Sequence, residues 1–221
     1  MVGPVSGRIQ EFGEMKPSMD LGTRHFVSST KDWMPNCGYG EEVDVVFALD
    51  VSEGSREEGG SVLPFLINTL TQRIIAAFAF NQQKTRAGIV AFKGDPDKGF
   101  IVYRLNQNQN PNALVKVLQK TDINQIPDIS ENIFRLGYRL FKEAPNRNAI
   151  RAMVILSNRN DFARYQGVVK KVREAGLAFY AISPNQRRSR ILNGLLELVG
   201  GDESRLFTEP NPIALAAEFC P

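Results

Sequence analysis

The feature that most constrains the fold is a set of strand-length apolar runs alternating with segments of helical spacing. The strand candidates are "VDVVFALD" (43–50), "RAGIVAF" (86–92), "GFIVYRL" (99–105), "AMVILS" (152–157), "AFYAI" (178–182) and "RLFT" (205–208). Several are apolar toward both faces, the pattern of parallel strands covered by helices on each side. Between them, apolar residues recur at i, i+3, i+4 and i+7. Val62, Phe65, Leu66 and Thr69 form one such stripe, Ile133, Leu136, Gly137 and Leu140 a second, and Tyr165, Val168, Val169 and Val172 a third. Pro64 fits a helix only near its start, so the first helix begins around Gly60 or Ser61. Further helices are expected over 112–120, 189–199 and 212–219. The segment "KGDPDK" joins the second and third strands and is long enough for a hairpin but not for a crossover helix, so one strand runs antiparallel at an edge. The expected fold is α/β: a doubly wound, mostly parallel six-stranded sheet with one antiparallel edge strand and helices on both faces. Ligands in such sheets bind beyond the carboxyl ends of central strands. Asp50 stands at one such end, with Ser52 two residues on.

Residues 1–40 lack this periodicity and are rich in Gly, Pro, Ser and charge, so they read as an extension that docks, if at all, through Phe26, Trp33 and Met34. Residues 41–221 form the domain. With 43% apolar and 23% charged residues the composition is that of an ordinary globular chain. A net charge of +3 gives no general affinity for nucleic acid, and the basic stretch "NQRRSR" (185–190) reads as a solvated helix start. No apolar run reaches the roughly 18 residues needed to span a bilayer. The first twenty residues lack the apolar core of a secretory signal, which leaves two readings: a mature segment behind an added Met1, or a chain that stays inside the cell. Of the two cysteines, Cys37 precedes the first strand and Cys220 is the penultimate residue. If the ends of the domain are neighbours, a disulfide would close nearly the whole domain, worth about 4–5 kcal/mol or somewhat more in the chain-entropy account, and would imply an oxidising compartment. Two unrelated thiols are the other reading.

A first strand ending in Asp-x-Ser, flanking cysteines, an antiparallel edge hairpin and a central strand ending in a polar turn together resemble the von Willebrand factor type A domain, over roughly Cys37 to Cys220. That resemblance implies a metal-ion-dependent adhesion site built from Asp-x-Ser-x-Ser after the first strand, a Thr from a later loop and an Asp after a central strand. Such hydroxyls and carboxylates suit a hard divalent cation, which keeps some waters and leaves one position for a partner's carboxylate. Carried onto this chain, Asp50 and Ser52 match. The second Ser is Gly54, with Ser55 displaced by one. Asp128 in "IPDISENIF" aligns loosely with the Thr, and Asn158 in "MVILSNRND" replaces the second Asp.

Two readings of this altered motif stay open. Asp128 restores the carboxylate lost at Asn158 and an ion binds weakly (Mg, Mn or Ca); or no cofactor binds, and Arg159 supplies the charge that Asp50 and Asp128 would otherwise lack. The second is the expectation. Asp44 lies at the opposite end of the strand from Asp50, and Asp161 is expected to cap the helix beginning near Phe162.

An enzyme has little to work with. The strand-end Asp also resembles that of haloacid dehalogenase-like phosphotransferases, but their second Asp is here Ser52, which does not transfer a proton at neutral pH. No nucleophile elbow, Walker A loop or C-x-x-C is present, and the single histidine, His25, lies in the extension. The reading is a non-catalytic adhesion module of a secreted or extracellular-matrix protein with a degenerate metal site. Its expected partners are matrix proteins such as collagen, with oligomerisation through the parent protein. A metal-competent adhesion domain and a phosphoryl-transfer hydrolase are the alternatives. The basic helix "RYQGVVKKVR" (164–173) reads as a solvated outer face.

Overall fold

A computed structural model describes residues 42–51, 85–120, 130–159, 161–183, 189–208 and 215. The expected helix around Val62–Thr69, the extension 1–40 and, apart from Leu215, the expected helix 212–219 lie outside them. Six strands form one sheet in the order β3-β2-β1-β4-β5-β6. They are β1 (Glu42–Asp50), β2 (Thr85–Phe92), β3 (Gly99–Tyr103), β4 (Ala149–Leu156), β5 (Ala178–Ile182) and β6 (Leu206–Phe207). Only β3 is antiparallel, paired with β2 at the edge of the sheet; every other pairing is parallel. The expected sheet is therefore present.

Strand ends differ from expectation for local reasons. β3 stops at Tyr103 because Arg104 and Gln107 form a turn: Arg104 N–H donates to Gln107 Oε1 at 2.6 Å, and Gln107 N–H to Arg104 O at 3.1 Å. β4 begins at Ala149, earlier than its apolar run, because Ile150 and Arg151 pair in register with Val43 and Asp44.

Alternation along β1 sends Val43, Val45, Phe47 and Leu49 to one face and Val46 and Ala48 to the other, and both faces are buried. Helix α1 (Pro111–Lys120) covers the first face with Leu114 and Leu118. The second face is covered by α2 (Ile133–Glu143), α3 (Gln166–Glu174) and α4 (Ser189–Leu198). Asn132 caps α2, its Oδ1 accepting from the amides of Phe134 and Arg135 at 3.1 and 3.4 Å. A short 3₁₀ segment, Asp161–Tyr165, leads into α3. Tyr165, expected as the first residue of the helical stripe, therefore lies just before the helix, and is still buried. The basic helix is divided in use. Lys170 and Lys171 are exposed, whereas the Arg173 guanidinium lies 5.7 Å from the Phe179 ring centroid and donates to Leu198 O. Among the described residues no helix is long and apolar enough to cross a membrane.

At the amino end of the sheet, Asp44 is buried between two arginines. Its carboxylate accepts from Arg86 Nε and Nη2 at 2.8 and 2.5 Å, and from Arg147 Nε and Nη2 at 3.0 and 2.5 Å. Register places Arg86 directly beside Asp44. This charge belongs to the structure of the sheet and lies at the opposite end of β1 from Asp50, as expected.

Candidate functional site

The chain leaves β1 toward β2 and β3, then returns on the other side of β1 to form β4. The strand order reverses between β1 and β4, the switch point at which doubly wound sheets receive their ligands. Asp50 ends β1 there. Leu49 pairs with Leu156, so the next residues, Asp50 and Ser157, are neighbours. Alternation puts both on the face covered by α2 and α3. Ser157 Oγ donates to Asp50 Oδ2 at 2.7 Å and accepts from Arg159 N–H at 3.0 Å. One hydroxyl thus joins the strand-end carboxylate to the turn after β4. Asp50 makes further interactions beyond this one, and both side chains are buried.

The turn after Ser157 brings Asn158 and Arg159 to the same rim. Asn158 Oδ1 is buried and, among the described residues, has no hydrogen-bond partner. Arg159 is held by Asp161 in a two-pronged pair, Nε to Oδ1 at 2.9 Å and Nη2 to Oδ2 at 2.5 Å. That hydrogen bond, aided by the charges of Asp161, Asp50 and Asp95, strengthens the guanidinium's hold on its proton against the opposing effect of burial. The Arg159 hydrogen bond in turn holds the Asp161 carboxyl below its ordinary range. The expectation that Asp161 caps a helix is corrected: the 3₁₀ turn begins at Asp161 itself, and its carboxylate faces a guanidinium two residues back. A fork of two charge-assisted bonds outcompetes a single backbone amide.

The hairpin between β2 and β3 forms the neighbouring wall. Gly94 has φ +73°, a conformation that favours glycine, and it opens a tight turn in which Asp95 accepts from the amides of Asp97 and Lys98. The 3₁₀ segment is tied to this turn. Tyr165 OH lies 3.0 Å from Asp95 Oδ1 and 3.2 Å from Asp97 Oδ2, and Arg164 donates to Asp95 at 3.0 Å. Burial, followed by the bond to Asp95, pushes the Tyr165 phenol well up. Beneath, Phe162 is fully buried and packs edge-on against Phe92 and Phe134, at 6.4 Å in each case. These aromatic contacts anchor the turn that carries Arg159 and Asp161.

Of the residues expected at the site, the structure brings Asp50 and Asn158 to one rim. Ser52 and Asp128, and the cysteines Cys37 and Cys220, lie outside the described residues. Ser157 was missed by sequence reasoning. Its signal was the strand register, which identifies the side chain opposite Asp50 only once the pairing of β1 and β4 is known.

The described part of the rim is poorly matched to a divalent ion. Asp50 is its one described carboxylate between the two strand ends, Asn158 offers only a neutral oxygen, and a permanent cation, Arg159, lies within the field of Asp50. Among the described residues no group of three or more His, Cys, Asp or Glu side chains is placed to hold a metal. Among the described residues, the Asp50 carboxylate and the partnerless oxygen of Asn158 are the features that favour an ion.

A family model for the von Willebrand factor type A domain matches residues 44–217. Among solved structures, proximal thread matrix protein 1 from the mussel byssus superposes with a TM-score of 0.61 at 13% identity, covering 81% of this chain and 46% of that one. The same mussel protein with a zinc-occupied MIDAS motif gives 0.58 at 16% identity, covering 81% and 46%. The manganese-loaded TRAP protein of Plasmodium vivax gives 0.57 at 13% identity, covering 80% and 71%. This chain spans under half the length of the mussel protein. No curated protein gives a match. At these identities the structural likeness establishes the fold.

Proposed function

The chain belongs to the von Willebrand factor type A domain family, and from that premise we propose that it is a non-enzymatic adhesion module of a secreted or extracellular-matrix protein that engages matrix partners such as collagen. Domains of this family are protein–protein interaction and adhesion modules and are generally not enzymes. The observation that carries the reading is the position of Asp50, Ser157 and Asn158 at the switch point between β1 and β4, where doubly wound sheets receive their ligands. The ion site is a partly lost one made from Asp50, Ser52, Asp128 and Asn158. Two points support that set. Asn158 contributes no charge, and the chain is on this rim at Glu131, three residues after Asp128, where its backbone bonds to Gly99 at the start of β3. Cys37 and Cys220 close the domain as a disulfide, consistent with an oxidising exterior.

The test is surface plasmon resonance on immobilised fibrillar collagen, comparing the wild type with Arg164→Glu on the rim and Lys170→Glu on the exposed outer face of α3. Saturable binding that falls at least ten-fold in Arg164→Glu and holds in Lys170→Glu is expected. A wild type that does not bind, or that loses binding only through Lys170, would remove this partner and this face.

A further inference from the structure

We propose that Arg159 takes the place of the ion at this rim, and that its outer edge receives an acidic side chain of the partner without any divalent cation. The inference rests on the adhesion reading above and specifies its chemistry. A guanidinium has two edges that can each hold a carboxylate. In Arg159 the Nε/Nη2 edge is filled by Asp161, at 2.9 and 2.5 Å. The Nη1/Nη2 edge is open: among the described residues Nη1 makes no hydrogen bond, and the side chain is 29% exposed. Nη1 lies beside Gly94, and even an added Cβ there would stand 4.0 Å from it, at ordinary van der Waals distance and without a clash.

The group is fixed as well as open. Its backbone amide is bound to Ser157 Oγ at 3.0 Å, its head to Asp161, and the 3₁₀ segment that carries Asp161 is anchored by buried Phe162. A positive head held so rigidly loses little freedom when a second carboxylate arrives. Asp50 and Asp95 act on the same guanidinium through space, so the positive charge stands within the field of the strand-end carboxylate. A metal-dependent site loses its cation to a chelator. A cation covalently attached to the chain is retained.

Two measurements test this, neither needing the natural partner. First, the peptide acetyl-Gly-Glu-Gly-amide is titrated in EDTA while the Arg159 side-chain nitrogen resonances are followed by NMR, assigned by their loss in Arg159→Lys. A saturable shift with the Glu peptide and none with its Gln counterpart is expected; an equal response to both, or a shift that requires Mg²⁺, overturns the proposal. Second, Mn²⁺ is added and paramagnetic broadening at the amides of Val51 and Ser157 is read in the wild type, Asn158→Asp and Asn158→Asp/Arg159→Gly. The wild type should show no site-specific broadening, and removing the guanidinium should tighten Mn²⁺ binding in the repaired protein at least ten-fold. Sub-millimolar Mn²⁺ binding by the wild type, or equal affinity in the single and double variants, contradicts the substitution of guanidinium for ion. Absence of collagen binding alongside the expected NMR results would remove only the collagen assignment.

Discussion

Replacing Asp44 by Asn removes one of the two acceptor oxygens that hold Arg86 and Arg147 and turns an N–H donor toward them. The side chains of Asp44, Arg86 and Arg147 are only 2%, 7% and 13% exposed, and four hydrogen bonds of 2.5–3.0 Å converge on the one carboxylate. Breaking a buried ion pair from one side typically costs about 3–5 kcal/mol, because the remaining charge is stranded away from water. Part of the network survives here: Arg86 still donates to Pro145 O at 3.1 Å and Arg147 to Val43 O at 2.9 Å, and Glu42 lies 3.5 Å from Arg147. The expected loss is therefore at the lower end, about 3 kcal/mol, from a total that for single domains is about 5–15 kcal/mol. With a urea slope of about 2 kcal/mol/M, the denaturation midpoint should fall by about 1.5 M. The assay is urea unfolding followed by circular dichroism. A midpoint within about 0.3 M of the wild type, with an unchanged slope, would refute the argument that one carboxylate neutralises both arginines.

Three further changes probe the site and its support. Ser157→Ala removes a hydrogen bond to the Asp50 carboxylate and an acceptor for the Arg159 amide; it should cost about 1.5–3 kcal/mol in urea unfolding, and a loss below about 0.5 kcal/mol would show the hydroxyl to be dispensable. Gly99→Ala places a Cβ 2.5 Å from Ile133 Cγ2 and 2.9 Å from the Glu131 carbonyl oxygen; because backbone must move, about 1–3 kcal/mol of destabilisation is expected, seen as a lower melting temperature with faster amide exchange at Gly99 and Glu131. For the Arg159–Asp161 pair, the hydrogen bond from Arg159 lowers the folded Asp161 pKa below its ordinary value. Its contribution is therefore complete above the ordinary carboxylate range of about pH 4 and is lost only as pH falls through the lower folded value. The Arg159 Nε–H resonance should persist down to about pH 4, and its disappearance between about pH 6 and 5 would contradict the pairing.

Much of the architecture could be read from residue order. The two-sided apolar run in β1 required helices on both faces, and "KGDPDK" allowed only a hairpin, so the parallel sheet and its antiparallel edge followed. The extent of β4 was harder to see: Arg151 interrupts the apolar pattern yet sits within the strand, because pairing is set by backbone register with β1 and not by side-chain polarity. The same limit applied to the site. Asp50 was visible because it ends an apolar strand, and Asn158 because it follows another. The residue that joins the two strand ends, Ser157, depends on which side chain stands opposite Asp50, and register is a property of the paired sheet. Asp161 presents the converse case. Its position before a helical stripe suggested a cap, but a guanidinium two residues away offered its carboxylate a stronger partner.

Anomalous diffraction from a crystal of the wild-type domain soaked in Mn²⁺ tests whether a guanidinium and not an ion supplies the positive charge at the rim. An intact Arg159–Asp161 pair and no anomalous peak between Asp50 and Asn158 are expected. A manganese peak at coordinating distance, about 2.0–2.6 Å from an Asp50 carboxylate oxygen, with the Arg159 head displaced from the crevice, would contradict it.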